Sequence, residues 1–491
     1  MIVAEKLTGA TQGLKGREMN SFCEQCAQRR HRIYHIFFWL CCFVACHPTL
    51  GLAIEPDVFR DLSSTFEIAL SCTGKLKFPV GSEQRSDSLE VVEQPVHAHS
   101  TLIYRHKANT DGSEHASDVV RHYDHATSHA VVGRERINTQ LPQGVKDIHV
   151  STHEAGLDFW YREGFLTQPE ADLLTVAFDP IYLNALVPPR NHSCGTQWEL
   201  NQAAVADLLC IDTVHLGGLK AAITESTGDR VVVKIKGEVE GAVSGAKASI
   251  VVDGNYDWIK GDDTAGGDDT AGGDDTAGNV SMLHVVIKEA RNVSYTAPGI
   301  DIEAVIKMSC HSQKPSLPRI VATSSNGGVS RYGRSRRGPG KHGFRWMCDP
   351  CNRYDVVYGT NWKIIEESSD YSMMRLVDQG TLIGQVTVTP LPPQSDVLTL
   401  SDFENDIEIA LGEQFGNLVS ASTYKRDDGT EILRVASVGE ADNLPFHWIH
   451  YHLRAVEGQR LSIAFMVESR HMDRFSNADR QYIEGVDLTL K

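Results

Sequence analysis

Histidine, cysteine and paired aspartate are the residues best suited to chemistry here, and each is clustered. His97, His99, His106, His115, His122, His125 and His129 all lie between positions 97 and 129. Zinc takes three or four ligands at ~2.0–2.3 Å, often with histidines two to four positions apart on one element. On a helix His122, His125 and His129 would share a face; on a strand His125 and His129 would, as would His97 and His99. These residues are candidate metal ligands, set against the plainer reading of a solvated, histidine-rich β surface. His450 and His452 in FHWIHYHLR form a second pair at strand spacing beside Trp448, with no third ligand nearby in sequence.

Cys348-Asp349-Pro350-Cys351 has C-x-x-C spacing. A disulfide formed after export, a pair of thiols and a redox centre all use it. Beyond the leader no second C-x-x-C occurs, so a four-cysteine zinc site does not follow. A thioredoxin-type centre needs a helix starting at the motif, whereas NRYDVVYG reads as turn and strand.

The run 261–278, GDDTAGGDDTAGGDDTAG, repeats one six-residue unit three times. Its carboxylates suit calcium, but the unit matches neither the EF-hand loop nor the G-G-x-G-x-D repeat. It reads instead as a duplicated hairpin tip between strands ending near Ile259 and starting near Val280. Lengthening such a tip costs only about 0.6 kcal/mol per doubling. Gly338, Gly340 and Gly343 have G-x-G-x-x-G spacing without the strand before and helix after that a dinucleotide site needs. G-x-S-x-G, H-E-x-x-H and G-x-x-x-x-G-K-[ST] do not occur. No catalytic residue and no cofactor is assigned, with zinc or calcium as the alternative.

The elements that would position these residues belong to a chain of 491 residues, long enough for two or three domains. Its formal charge is −17, of which the repeats supply six negatives, and this balance argues against nucleic-acid binding. Arg29, Arg30 and Arg32 precede the apolar run Ile33–Cys46, and small residues Gly51 and Ala53 follow. That order is a secretory leader, so residues 1–53 are read as a signal peptide or membrane anchor. Cleavage after Ala53, retention, and lipidation at Cys46 within FVAC are the three outcomes. Met19 is a candidate start, which would leave 1–18 untranslated.

From 54 to 311 the dominant pattern is period-two alternation. Val233, Ile235 and Val239 share one face of VVVKIKGEVEG, with Lys234, Lys236, Glu238 and Glu240 opposite. ASIVVDGNYDWIK and the stretches around Leu283–Ile287 and Ile300–Met308 behave alike, giving a meander of four strands. ELNQAAVADLLCI is the clearest helix, with Ala204, Leu208 and Ile211 at helical spacing. Residues 312–342 are rich in Pro, Ser, Gly and Arg and read as an exposed linker. In 343–491, WKIIEES, SMMRLVD and LIGQVTVTP read as strands. A helix follows over SDFENDIEIALGEQF, with Ser401 and Glu404 as a capping box, and another covers Met472–Ile483.

MMRLVDQGTLIGQVTVTPLPP and ADRQYIEGVDL resemble PsbP-like α/β/α domains of exported proteins. WYREGFLTQPEADLLTV, VKIKGEVEGAV and NVSYTAPGIDI resemble an uncharacterised family of exported bacterial β-rich proteins carrying such a module. The resemblance implies an α+β fold, an antiparallel β-rich N-terminal domain followed by a PsbP-like α/β/α sandwich, and export. It implies no catalytic residue. The expected protein is an exported or envelope-associated, non-catalytic binding module with an unknown partner and membrane association through its leader. A metal-dependent or thiol-redox enzyme of the envelope and a membrane-anchored scaffold are the alternatives.

Overall fold

Alternation of apolar and polar residues governs far more of the chain than those stretches. The computed structural model describes residues 64–79, 91–107, 119–153, 156–189, 193–243, 245–260, 278–293, 298–311, 340–378, 381–393 and 397–488. Strands take 64% of them and helices 15%. The chain divides into two compact units, the second beginning its main run at Phe344.

In the first unit, β1 (Thr65–Pro79), β2 (Val91–Lys107), β3 (Val119–Val132), β4 (Glu135–Gln140), β5 (Asp147–His153) and β6 (Gly156–Trp160) precede a helical passage. That passage holds α1 (Gln168–Leu174), a 3-10 turn (Pro180–Leu186), β7 (Gln197–Glu199) and α2 (Gln202–Leu209). Then β8 (Thr213–Thr227), β9 (Arg230–Val243), β10 (Ala246–Lys260), β11 (Gly278–Arg291) and β12 (Gly299–His311) follow as antiparallel neighbours. All belong to one twelve-stranded sheet ordered β6-β5-β3-β2-β1-β12-β11-β10-β9-β8-β7, with β4 on β3. The ends of the series meet where β12 pairs with β1, from Thr65↔His311 to Lys77↔Gly299.

One face of this sheet is buried along its length. Val233, Ile235, Val239, Ile250, Val252, Val285, Ile287, Ile300 and Ile306 are all at most 1% exposed. The other carries Lys234, Lys236, Glu238 and Glu240, with ion pairs such as Lys234–Asp253 (3.6 Å), Lys247–Glu240 (3.4 Å) and Lys288–Glu303 (3.3 Å). Such alternation is that of a sheet with one packed and one watered face. Local sequence starts the helices. Thr167 and Glu170 cap α1 reciprocally, with Glu170 Oε2 accepting from the Thr167 N–H at 2.8 Å. Asn201 caps α2 through the Ala204 N–H at 2.7 Å.

In the second unit, β13 (Phe344–Cys348) and β14 (Tyr354–Gly359) lead into β15 (Trp362–Glu367), β16 (Ser372–Asp378) and β17 (Thr381–Leu391). After α3 (Leu400–Leu411) come β18 (Phe415–Lys425), β19 (Glu431–Ala441), β20 (Leu444–Arg454) and β21 (Arg460–Glu468). Two short helices, α4 (Met472–Phe475) and α5 (Ala478–Glu484), and β22 (Val486–Leu488) end the described chain. A seven-stranded sheet runs β15-β16-β17-β21-β20-β19-β18, and a three-stranded one runs β13-β14-β22.

These sheets correct the expected α+β fold with a terminal α/β/α sandwich. One face of the seven-stranded sheet packs its apolar residues against β13, β14 and β22 together with α4 and α5. Among the described residues the other face packs against the twelve-residue α3, through Phe403, Ile407 and Leu411. Large antiparallel sheets therefore dominate, and the helices are short accessories. The single helix expected over Met472–Ile483 is interrupted because Ser476 takes a left-handed φ of 49°. The cap of α3 likewise moves from Ser401 to Thr399, whose Oγ1 accepts from the Asp402 N–H at 3.2 Å.

Candidate functional site

The histidines of β2 and β3 lie on the outward side of the twelve-stranded sheet, apart from the buried His106. His99 is the cross-strand partner of His129, whose Nδ1 lies 2.8 Å from Asn138 Oδ1. His125 Nε2 is 2.9 Å from Thr127 Oγ1, and desolvation with the neighbouring His129 lowers its pKa. His122 turns to carboxylates instead, its Nδ1 2.5 Å from Asp147 Oδ1. An irregularity in the β2–β3 register falls between Ile103 and Tyr104, opposite the change from His125 to Tyr123. Among the described residues no group of three or more His, Cys, Asp or Glu is placed to hold a metal ion. His115, Cys46, Ala53 and residues 261–277 lie outside the described residues.

His450 and His452 project from β20 towards α3, 6% and 4% exposed. The His452 ring stands edge-on to Phe403 at 6.0 Å, and neither Nε2 meets a hydrogen-bond partner. Burial pushes both down to about 4, with Arg460 and Arg454 adding to the effect on His452. They form part of the layer that seats α3.

Cys348 and Cys351 flank the turn from β13 to β14. That turn is organised by Asp349, 1% exposed, which the cysteine spacing alone did not single out. Its Oδ2 accepts from the Cys351 N–H (3.1 Å), the Arg353 N–H (3.0 Å) and Arg353 Nε (2.9 Å), while Oδ1 accepts from Arg353 Nη2 at 2.7 Å. Asn352 completes the turn at φ 55°.

Sequence reasoning also missed the most deeply buried charges. Arg121 and Asp179 form a two-pronged ion pair, at 2.9 and 2.5 Å, with both side chains wholly buried. The guanidinium lies 4.7 Å from the Tyr104 ring centre and 5.8 Å from that of Phe159. Asp179 also accepts from the Ile181 N–H at 3.0 Å, so it starts the 3-10 turn and ties it to β3. Beside it, burial and then Arg121 push His106 down to about 3. This centre is sealed from solvent.

Strand β18 has the opposite character. It forms one edge of its sheet, pairs with β19, and is exposed over most of its length. Leu418, Val419 and Tyr424 are 45%, 57% and 43% exposed, and no charged residue or proline occurs from Phe415 to Tyr424. Register shifts after Phe415 and after Leu418 give way to regular pairing from Ser420↔Ala436 to Lys425↔Glu431. The first shift is built on glycine: a Cβ at Gly439 would lie 1.8 Å from the Gln414 carbonyl. Beyond Lys425 the Arg426 N–H donates to the Thr430 carbonyl at 2.9 Å. Antiparallel alternation then turns the backbone N–H and C=O groups of Ala421, Thr423 and Lys425 outward, away from β19.

An antiparallel β protein of two units is the class these features define. No protein-family model and no curated protein matches the chain. A third of it, 33%, is similar to the solution structure of cyanobacterial PsbP (CyanoP) from Synechocystis sp. PCC 6803. That match covers 99% of CyanoP at 14% identity and a TM-score of 0.25. Outer-membrane OprD from Pseudomonas aeruginosa matches at 6% identity over 87% of this chain and 96% of its own, with a TM-score of 0.13. Pseudomonas putida OprB matches at 6% over 82% and 91%, with a TM-score of 0.11. Likenesses at this level carry neither fold nor activity to the chain.

Proposed function

We propose that the chain is an exported, envelope-associated binding protein without a catalytic role, and that it takes up a partner segment on β18 by strand addition. The observation that carries this reading is the edge itself. Protein edges are normally blunted by charge, proline or cover, because unpaired N–H and C=O groups template another strand. Here the strand is exposed, uncharged from Phe415 to Tyr424, and regular from Ser420 to Lys425. The basic, apolar and small-residue order of residues 29–53 supports export.

The probe is a fluorophore-tagged decapeptide of alternating Thr and Val, titrated with the chain at nanomolar concentration and read by polarisation. Saturable binding that Thr423→Pro abolishes is expected. That substitution removes an outward N–H and leaves the β18–β19 ladder whole. Binding that persists in Thr423→Pro, or no binding to the native chain, overturns the reading.

A further inference from the structure

We infer that the strand received by β18 is β18 of a second copy, paired antiparallel about a two-fold axis at Thr423. This rests on the strand-addition reading above and names its partner. Outward groups fall at Ala421, Thr423 and Lys425, spaced evenly on either side of Thr423. A two-fold at that residue sets Thr423 against Thr423 and Ala421 against Lys425, each outward donor facing an outward acceptor, for about six new hydrogen bonds. Sliding the copies by one residue would set outward groups against inward ones and lose the ladder.

The side chains agree with that register. Lys425 is the single charge in the regular stretch, and it lands opposite Ala421 of the second copy, so no like charges oppose. Thr423 meets its own copy in a Thr–Thr cross-strand pair, a favourable combination. Tyr424, 43% exposed, comes to lie beside Ser422 of the second copy. The contact is the same patch on both molecules, so this pairing closes at two.

Sedimentation velocity on the full chain tests this with Thr423→Pro, Thr423→Lys, Thr423→Glu and an equimolar mixture of the last two. The native chain sediments as a dimer. Each single variant weakens self-association on the order of tenfold or more, because proline removes a donor and like charges meet at the axis. The mixture restores a one-to-one dimer, since Lys then faces Glu. Thr423 is exposed, so at concentrations low enough to keep every chain monomeric the variants melt within about 2 °C of the native chain. A monomeric native chain that still binds the Thr–Val peptide overturns the self-partner and leaves strand addition standing. A dimer indifferent to all three substitutions overturns it as well, and a monomer that also ignores the peptide removes both.

Discussion

Arg121 on β3 and Asp179 at the start of the 3-10 turn meet through two hydrogen bonds with neither side chain exposed at all. Removing one member strands the other charge in an apolar interior, a loss of about 3–5 kcal/mol. Arg121→Met and Asp179→Leu, each alone, are expected to lose about that much in urea unfolding. The double variant recovers much of the loss, because no unpaired charge is left inside. Additive losses would show that the two residues act independently.

Acid sensitivity follows from the histidines beneath α3. His450 and His452 fall to about 4 in the fold, against about 6.5 when unfolded. Between those values the unfolded state binds more protons, so stability drops as pH falls through the window and levels off below about 4. Each shift corresponds to on the order of 3 kcal/mol. His106, at about 3, acts in the same direction. Urea midpoints measured from pH 7 to pH 4 should fall steeply in the native chain and less in His450→Leu/His452→Leu. Parallel slopes would contradict this.

The turn after β13 separates two roles that its spacing had merged. Asp349 accepts two backbone N–H groups and two Arg353 nitrogens, so Asp349→Ala is expected to lose about 3 kcal/mol. The Cys348 thiol makes a weaker contact in the same turn, at 3.3 Å from Asn352 Oδ1. Cys348→Ser/Cys351→Ser under reducing conditions should change stability by less than ~1 kcal/mol. Thermal melts of the two variants side by side check the contrast, and the reverse order of effects would refute it.

Shortening the acidic repeat is expected to be silent. β10 and β11 pair up to Lys260↔Gly278, the residue before the run and its last glycine, and pairing continues inward to Ala248↔Arg291. Deleting two of the three units should shift the denaturation midpoint by no more than about 1 kcal/mol of stability. Loss of soluble protein would count against a spacer role.

Legibility in sequence followed the range of the interactions. Alternation in β9 to β12 and the period of α2 and α3 are local, and they mark those elements directly. The long β1, β2 and β3 are punctuated by histidine, serine and arginine on the buried or outward face. Arg121 fits that face only because Asp179, far along the chain, neutralises it. The α/β/α expectation failed for a related reason. Apolar residues of β13, β14 and β22 fill the layer that helices were expected to occupy, and that pairing joins Val356 to Val486. Among the candidate site residues, spacing identified clustered histidines and cysteines but not their partners. Asp349, Arg353 and the outward amides of β18 depend on turn and ladder geometry, which residue types do not display.

The pairing of β1 with β12 also sets a schedule for synthesis. Thr65 leaves the ribosome long before His311, which is its partner across the ladder. At roughly 5–20 residues per second, the interval is tens of seconds. During that time β1 can hold β2 on one side while its other side has no mate. Contacts this distant in sequence make slow folding, so the nascent chain stays unfinished through most of its production. A polypeptide that must cross a membrane unfolded gains time from such an arrangement, and one retained at high concentration would depend on chaperones to cover that waiting strand.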